Sequence, residues 1–273
     1  MQRGGAMRIR GAMVVLLCCL STPGFGQTLG LNAPELFDRA MNALIGSGAG
    51  RSDATALDYL HRSADLGYAP AQVVLGYFYE TGRIVAQEPI QALDWYRKAA
   101  EQDDPLAEWL VGRIIYSGEE PPRDLNAASF WLQKAANHND PFGEYLLGKI
   151  RMERQDYVAA AYYLRKAAMQ GLPQAQFQLG RLLEQGRGIP EDKFEAYTWL
   201  LLSSQAGNPA VAMDLQSLES DLGSAQVEQA KSRARELQAA TARSVAARGC
   251  TGWPGEFKDI PVPPPPYLQR FCR

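Results

Sequence analysis

Histidine and cysteine are scarce in this chain: two of the first, His61 and His138, and four of the second, in 273 residues. Neither histidine has a cysteine, serine or carboxylate at motif spacing, so nothing points to a general base, an activated nucleophile or a zinc site. No G-x-S-x-G, H-E-x-x-H or phosphate-binding loop is present. The run Gly46-Ser-Gly-Ala-Gly50 is glycine-rich, but no strand precedes it, and it reads as a loop between helices. His61 reads as a solvated residue beside Leu60, and His138 as part of a turn after Ala136. The expectation is a chain without catalytic residues, cofactor or metal. An excess of basic charge is also missing: 28 Lys and Arg against 30 Asp and Glu give a net charge of −2, which argues against a nucleic-acid partner. The only long apolar run, Ala12 to Leu20, has nine residues, where a bilayer span needs roughly 20, so no integral membrane span is expected. With 46% hydrophobic residues the chain can still bury a sizeable core.

The basic residues are unevenly placed. Residues 1–26 carry Arg3, Arg8 and Arg10 and no acid; without them the balance is 25 basic to 30 acidic, a net charge of −5. Arg8 and Arg10, the Ala12–Leu20 run and the small residues Gly24 and Gly26 have the layout of a signal peptide, with cleavage before Gln27. A lipid anchor on Cys18 is disfavoured, because Leu17 precedes it where a small residue is needed. The expected location is periplasmic or secreted. Cys18 and Cys19 would leave with the signal, so Cys250 and Cys272 remain. In an oxidising compartment they are expected to pair, against the alternative of two free thiols. Closing that loop of about 20 residues stabilises by roughly 3 kcal/mol in the chain-entropy model.

What the sequence has in abundance is repetition. Leu75-Gly76 recurs as Val111-Gly112, Leu147-Gly148 and Leu179-Gly180, at glycine spacings of 36, 36 and 32. Ala99-Ala100 recurs as Ala135-Ala136, Ala167-Ala168 and, weakened, Ser203-Ser204. An aromatic steps in phase through Tyr59, Trp95, Trp131, Tyr163 and Trp199. Each unit reads as two helices. Pro70, Pro105, Pro141 and Pro173 open the first helix, where a missing N–H costs nothing. Ala71, Val74, Leu75 and Phe78 form one apolar face, and Gly82 caps the end. Leu93, Tyr96 and Ala100 share a face on the second helix. A glycine inside a helix costs about 1 kcal/mol of propensity, so Gly76 and its equivalents imply a close approach of the second helix, with the large aromatics filling the gaps between pairs. A single pair cannot bury both faces, so the units must stack. The 32-residue step arises where the loop shrinks to Glu153-Arg-Gln-Asp156.

The motifs Ala71, Leu75-Gly76, Tyr79, Gly82, then Ala92 and Trp95-Tyr-Arg-Lys-Ala-Ala100 resemble the Sel-1-like repeat, a relative of the tetratricopeptide repeat. So do Ala175, Leu179-Gly180, Gly186-Arg-Gly188-Ile, Ala196 and Trp199. The resemblance covers about residues 33–221. It implies an all-α, right-handed α-solenoid of stacked antiparallel helix pairs, serving as a non-catalytic scaffold. Implied partners are other envelope proteins, with a cell-wall-derived or acidic small ligand as the alternative. A eukaryotic lumenal adaptor is a third reading, disfavoured by the lack of an N-x-S/T sequon.

The expected organisation is a signal at 1–26, a solenoid at 27–221, a capping helix at 222–248 and a proline-rich tail at 249–273. Ala33–Ile45 and Ala54–Leu66 fit a degenerate first pair, with Ala40 in the glycine position and Gly46 as cap. Ala225–Ala247 presents Val227, Ala230, Ala234 and Leu237 as one apolar stripe. Two candidate binding features remain. The position after the motif glycine reads Tyr77, Arg113, Lys149 and Arg181, a ladder suited to a carboxylate-bearing partner, or else ordinary solubilising charge. The tail holds Pro263, Pro264, Pro265 and Pro266 in a stretch that must be extended polyproline. It suits either docking on an aromatic groove or a stiff clamp against the last helix.

Overall fold

The computed structural model describes residues 30–46, 51–119 and 121–248, with the side chains of 45 and 244–248 excepted. Residues 1–26, where a leader is expected, Ser47–Gly50, Cys250, Cys272 and Pro263–Pro266 lie outside the described residues. Among those described there are eleven helices, a single 3-10 turn and no strand. The helices form pairs: α1 (Ala33–Ile45) with α2 (Asp53–Asp65), α3 (Ala69–Thr81) with α4 (Pro89–Ala100), and α5 (Pro105–Ser117) with α6 (Leu125–Asn137). Next come α7 (Pro141–Glu153) with α8 (Tyr157–Met169), and α9 (Pro173–Gln185) with α10 (Lys193–Gln205). The turn Pro209–Val211 leads into α11 (Ala212–Arg248). Each second helix also packs on the first helix of the following pair, which makes the stack an α-solenoid.

The punctuation that repeats in the sequence has a conformational cause. Asn32 and Glu35 form a reciprocal capping box, and Ser52, Asp104, Asp140, Asp156 and Asp192 each accept a hydrogen bond from a first-turn backbone N–H. Gly46, Gly82, Gly118 and Gly186 end their helices in the left-handed region. The residue between successive units, Gly67, Asp103, Asn139, Gly171 or Gly207, has a positive φ in every case. Aspartate and asparagine tolerate that conformation better than other side chains, which explains why only they replace glycine there.

The close approach is measured by what a Cβ would meet. At Gly112 it would lie 2.6 Å from Leu132 Cγ and 3.2 Å from its backbone nitrogen. At Gly76, Gly148 and Gly180 the obstructing side chains are Tyr96, Leu164 and Leu200. These four, with Leu60, are fully buried. The gap filler is thus one residue after the recurring aromatic. Tyr59, Trp95, Trp131 and Tyr163 are only half-buried, and Lys98 stands 3.6 Å over Trp95. A turn of 100° per residue separates the two positions, enough to move a ring from the helix contact to its rim. The shortened third loop is compensated by its neighbour. Gly188, at φ +72, lies so close to the Tyr157 backbone that a Cβ would sit 2.2 Å from its carbonyl carbon.

α11 bends at Gly223, whose φ and ψ of 76° and 165° are not helical. Its first part completes a sixth first helix. Its second part buries Val227, Ala230 and Ala234, the expected capping stripe, against the last pair. It runs on past α10, so that the Thr241 hydroxyl donates to the carbonyl of Met169 at the end of α8, 3.1 Å away.

Candidate partner-binding face

The ladder position after the motif glycine falls on the first helix of each unit, and its four residues have different surroundings. Tyr77 is buried in the core. Arg113 pairs with Glu80 of the preceding unit, and Glu80 also accepts from the Tyr96 hydroxyl at 2.8 Å. Lys149 stands 5.2 Å from the ring of Tyr116 in the preceding unit and 5.9 Å from that of Tyr145. Arg181 is exposed and lies 5.8 Å from the Phe177 ring. Among the described residues Lys149 and Arg181 form no ion pair. The uniform ladder therefore divides into a core residue, an inter-unit ion pair and two cations available to a ligand.

Four residues before each cation stands an aromatic ring: Trp109, Tyr145 and Phe177, a column that sequence reasoning missed. Residues four apart meet on a helix face, so each cation rests on a ring at cation–π distance. The column continues to Met213, 82% exposed, at the same position of the sixth unit. Between Tyr116 and Lys149 the face is rigidly braced. The Tyr116 hydroxyl donates to Glu153 at 2.6 Å, and Arg123 donates to both oxygens of that carboxylate at 2.8 Å. Burial, with the adjoining Glu153 charge, pushes the Tyr116 phenol up to about 12, so it stays a donor at physiological pH.

A second in-phase series also escaped the sequence reading. Gln72, Glu108, Glu144 and Gln176 follow the small residue of each first helix, and all are buried. Gln72 and Gln176 donate to the carbonyls of Ala64 and Ala168 in the preceding second helix, at 3.0 and 3.3 Å. Glu108 lies 3.1 Å from Lys134 Nζ, and Glu144 lies 2.6 Å from Lys166 Nζ. His138 is not isolated either, since its Nε2 is 3.7 Å from Glu108. His61 is half-buried, edge-on to Tyr79 and Trp95 of the following unit at 6.3 and 6.1 Å. Among the described residues no group of three or more His, Cys, Asp or Glu is placed to hold a metal ion, and no helix is long and apolar enough to cross a membrane.

Acids at the starts of the first helices give stability an unusual pH dependence. Burial, reinforced by the charges of Glu144 and Glu108 and opposed by the Gly143 N–H, raises Asp140 to about 7. Burial raises Glu108 and Asp104 as well. A carboxyl held above its unfolded value of roughly 4 binds a proton in the folded state that the unfolded chain has released. Its contribution is present at low pH and is lost as pH rises through about 7. Asp103, Glu153 and Glu228 are held low and stay ionised from pH 5.5 to 7.5, so they add no slope. The chain should lose about 1–2 kcal/mol across that interval. Thermal melts of Asp140→Asn, which keeps the helix cap, should remove most of the loss.

The fold defines a helical-repeat protein whose helix pairs stack in register. A family model described as the Sel1 repeat matches residues 39–68, 69–104, 105–140, 143–172 and 173–208, and the chain belongs to that family. The crystal structure of a protective antigen of uropathogenic Escherichia coli, displaying an SLR fold, is similar with TM-score 0.67 and 25% identity, over 87% of this chain and 51% of that one. A Sel1 repeat protein from Oxalobacter formigenes is similar with TM-score 0.60 and 27% identity, over 75% of this chain and 88% of that one. This chain spans about half the length of the first of these. Comparison with curated proteins gives no match. Sel1 repeat proteins generally mediate protein–protein interactions on a fold that is generally non-catalytic.

Proposed function

We propose that this chain is an exported, periplasmic scaffold that holds protein partners within a cell-envelope complex, and that its first-helix face is the binding surface. One observation carries the reading. Tyr145 and Phe177 are half-buried at the same position of consecutive first helices, and beside them stand the cations Lys149 and Arg181, which form no ion pair among the described residues. Aromatic rings with interleaved cations suit an extended partner segment bearing apolar and acidic side chains. Support for export comes from the signal-like pattern of residues 1–26, and Sel1 repeat membership supports a protein partner. The immobilised full chain should retain a reproducible set of proteins from envelope extract, released as salt approaches about 0.5 M, where the Debye length falls below about 5 Å. Retention of nothing beyond a bead control would overturn the proposal.

A cell-wall-derived or acidic small ligand is the second reading, favoured by the ammonium of Lys149 between the rings of Tyr116 and Tyr145. It predicts that muropeptides alone raise the melting temperature.

A further inference from the structure

The second helices carry an apolar surface that the repeat does not require. Phe130 on α6 and Tyr162 on α8 are 59% and 60% exposed. The same repeat position holds a solvated Asp94 on α4 and a buried Thr198 on α10. Each exposed ring meets its neighbour edge to face: Phe130 with Trp131 at 5.2 Å, and Tyr162 with Tyr163 at 5.1 Å. The Tyr163 hydroxyl donates to Gln133 on α6 at 2.7 Å, which draws the two pairs into one patch. Along α8 the surface continues through Val158 and Met169, 68% and 58% exposed and on the stripe of Tyr162. Four rings with hydroxyl and indole donors make a surface chemically suited to polyproline. Proline rings pack on aromatic faces, and proline carbonyls accept hydrogen bonds without N–H groups to satisfy in return.

The occupant is indicated by where the chain goes. The second part of α11 returns toward this region: Thr241 meets the Met169 carbonyl, and a Cβ on Gly171 would lie 2.7 Å from Thr241 Cγ2. Arg248 is seven residues beyond Thr241, and 25 residues follow it, including Pro261-Val-Pro-Pro-Pro-Pro266 and Tyr267. From Arg248 to Pro261 an extended chain spans up to about 45 Å, while packed helices stand about 10 Å apart.

We propose that the C-terminal segment around Pro261–Pro266 docks in cis on the Phe130/Trp131/Tyr162/Tyr163 patch. This face is distinct from the first-helix surface, and the proposal does not depend on the function assigned to that surface. Docking would make the outer face a polyproline site occupied by the chain's own tail, open to other proline-rich segments only by competition.

The test is photocrosslinking of the full-length protein carrying Tyr162→p-benzoylphenylalanine, a replacement at an exposed ring, with a melting curve as the folding control. Irradiation should yield intrachain adducts within residues 259–271, at a yield unchanged by tenfold dilution. A full-length variant with Pro263, Pro264, Pro265 and Pro266 all replaced by serine should lose the adduct at least fivefold. Adducts that miss the tail, or an undiminished yield in the serine variant, would overturn the proposal. So would adducts solely between chains that vanish on dilution, which would assign the patch to a second copy.

Discussion

Gly112→Leu should lower stability by about 3 kcal/mol or more, the upper end of what overpacking a tight core costs. The added Cβ alone would lie 2.6 Å from Leu132 Cγ and 2.7 Å from Cδ2, and Leu132 is fully buried. Against this stands a gain of about 1 kcal/mol in helix propensity from removing a glycine, so steric overlap decides the sign. The melting temperature should fall by about 6–12 °C, at 2–4 °C per kcal/mol for a domain of this size. A pairwise test isolates the cause. Gly112→Ala and Leu132→Ala should each destabilise alone, yet together cost less than their sum, because the shortened side chain makes room for the new methyl. Strict additivity would contradict the close-approach account.

Lys134→Met should cost about 2–3 kcal/mol. Leaving a buried charge without its partner costs about 3–5 kcal/mol, and partial access of water to Lys134, whose side chain is 30% exposed, reduces that figure here. The ammonium bridges Glu108 at 3.1 Å and Asp103 at 2.8 Å, and the Glu108 carboxylate is fully buried. The protein itself supplies the rescue. Gln72 and Gln176 occupy the same repeat position and donate to a carbonyl of the preceding helix, so Glu108→Gln should be nearly neutral by donating to Ala100. The double variant Lys134→Met/Glu108→Gln should then recover most of the loss. Since burial holds the Glu108 carboxyl above its ordinary range, the deficit of Lys134→Met should also shrink as pH falls through the weakly acid region. Denaturant melts at two pH values check both statements.

The helix pairs were legible in the sequence because packing and punctuation recur in phase. Proline starts, glycine caps and small residues at the contact are local demands that each unit repeats. The solenoid's charge pairing was not legible. Arg113 meets Glu80, 33 residues earlier, only because stacking sets the first helices side by side. Nothing local in the sequence marks Glu108 and Glu144 as buried. Their in-phase recurrence with Gln72 and Gln176 was the available signal, and burial became evident only once the lysines of the second helices lay against them. The aromatic series marked the right helix but the wrong side of it, since a neighbour one residue on, Tyr96 or Leu132, takes the contact with the motif glycine. The cation ladder was readable as a pattern, but not which rungs were already satisfied. Half of the ladder, Tyr77 and Arg113, belongs to the core and to an inter-unit ion pair.

That division gives the most direct test of the central claim. Lys149→Glu/Arg181→Glu leaves the Arg113–Glu80 pair and the buried Gln72, Glu108, Glu144 and Gln176 untouched, so the melting temperature should stay within about 2 °C of the parent, as for surface changes within about 0.5 kcal/mol. Quantitative mass spectrometry of proteins retained from envelope extract should show at least a tenfold loss for the double variant. Equal retention by parent and variant, at equal stability, would contradict the assignment of the first-helix face as the binding surface.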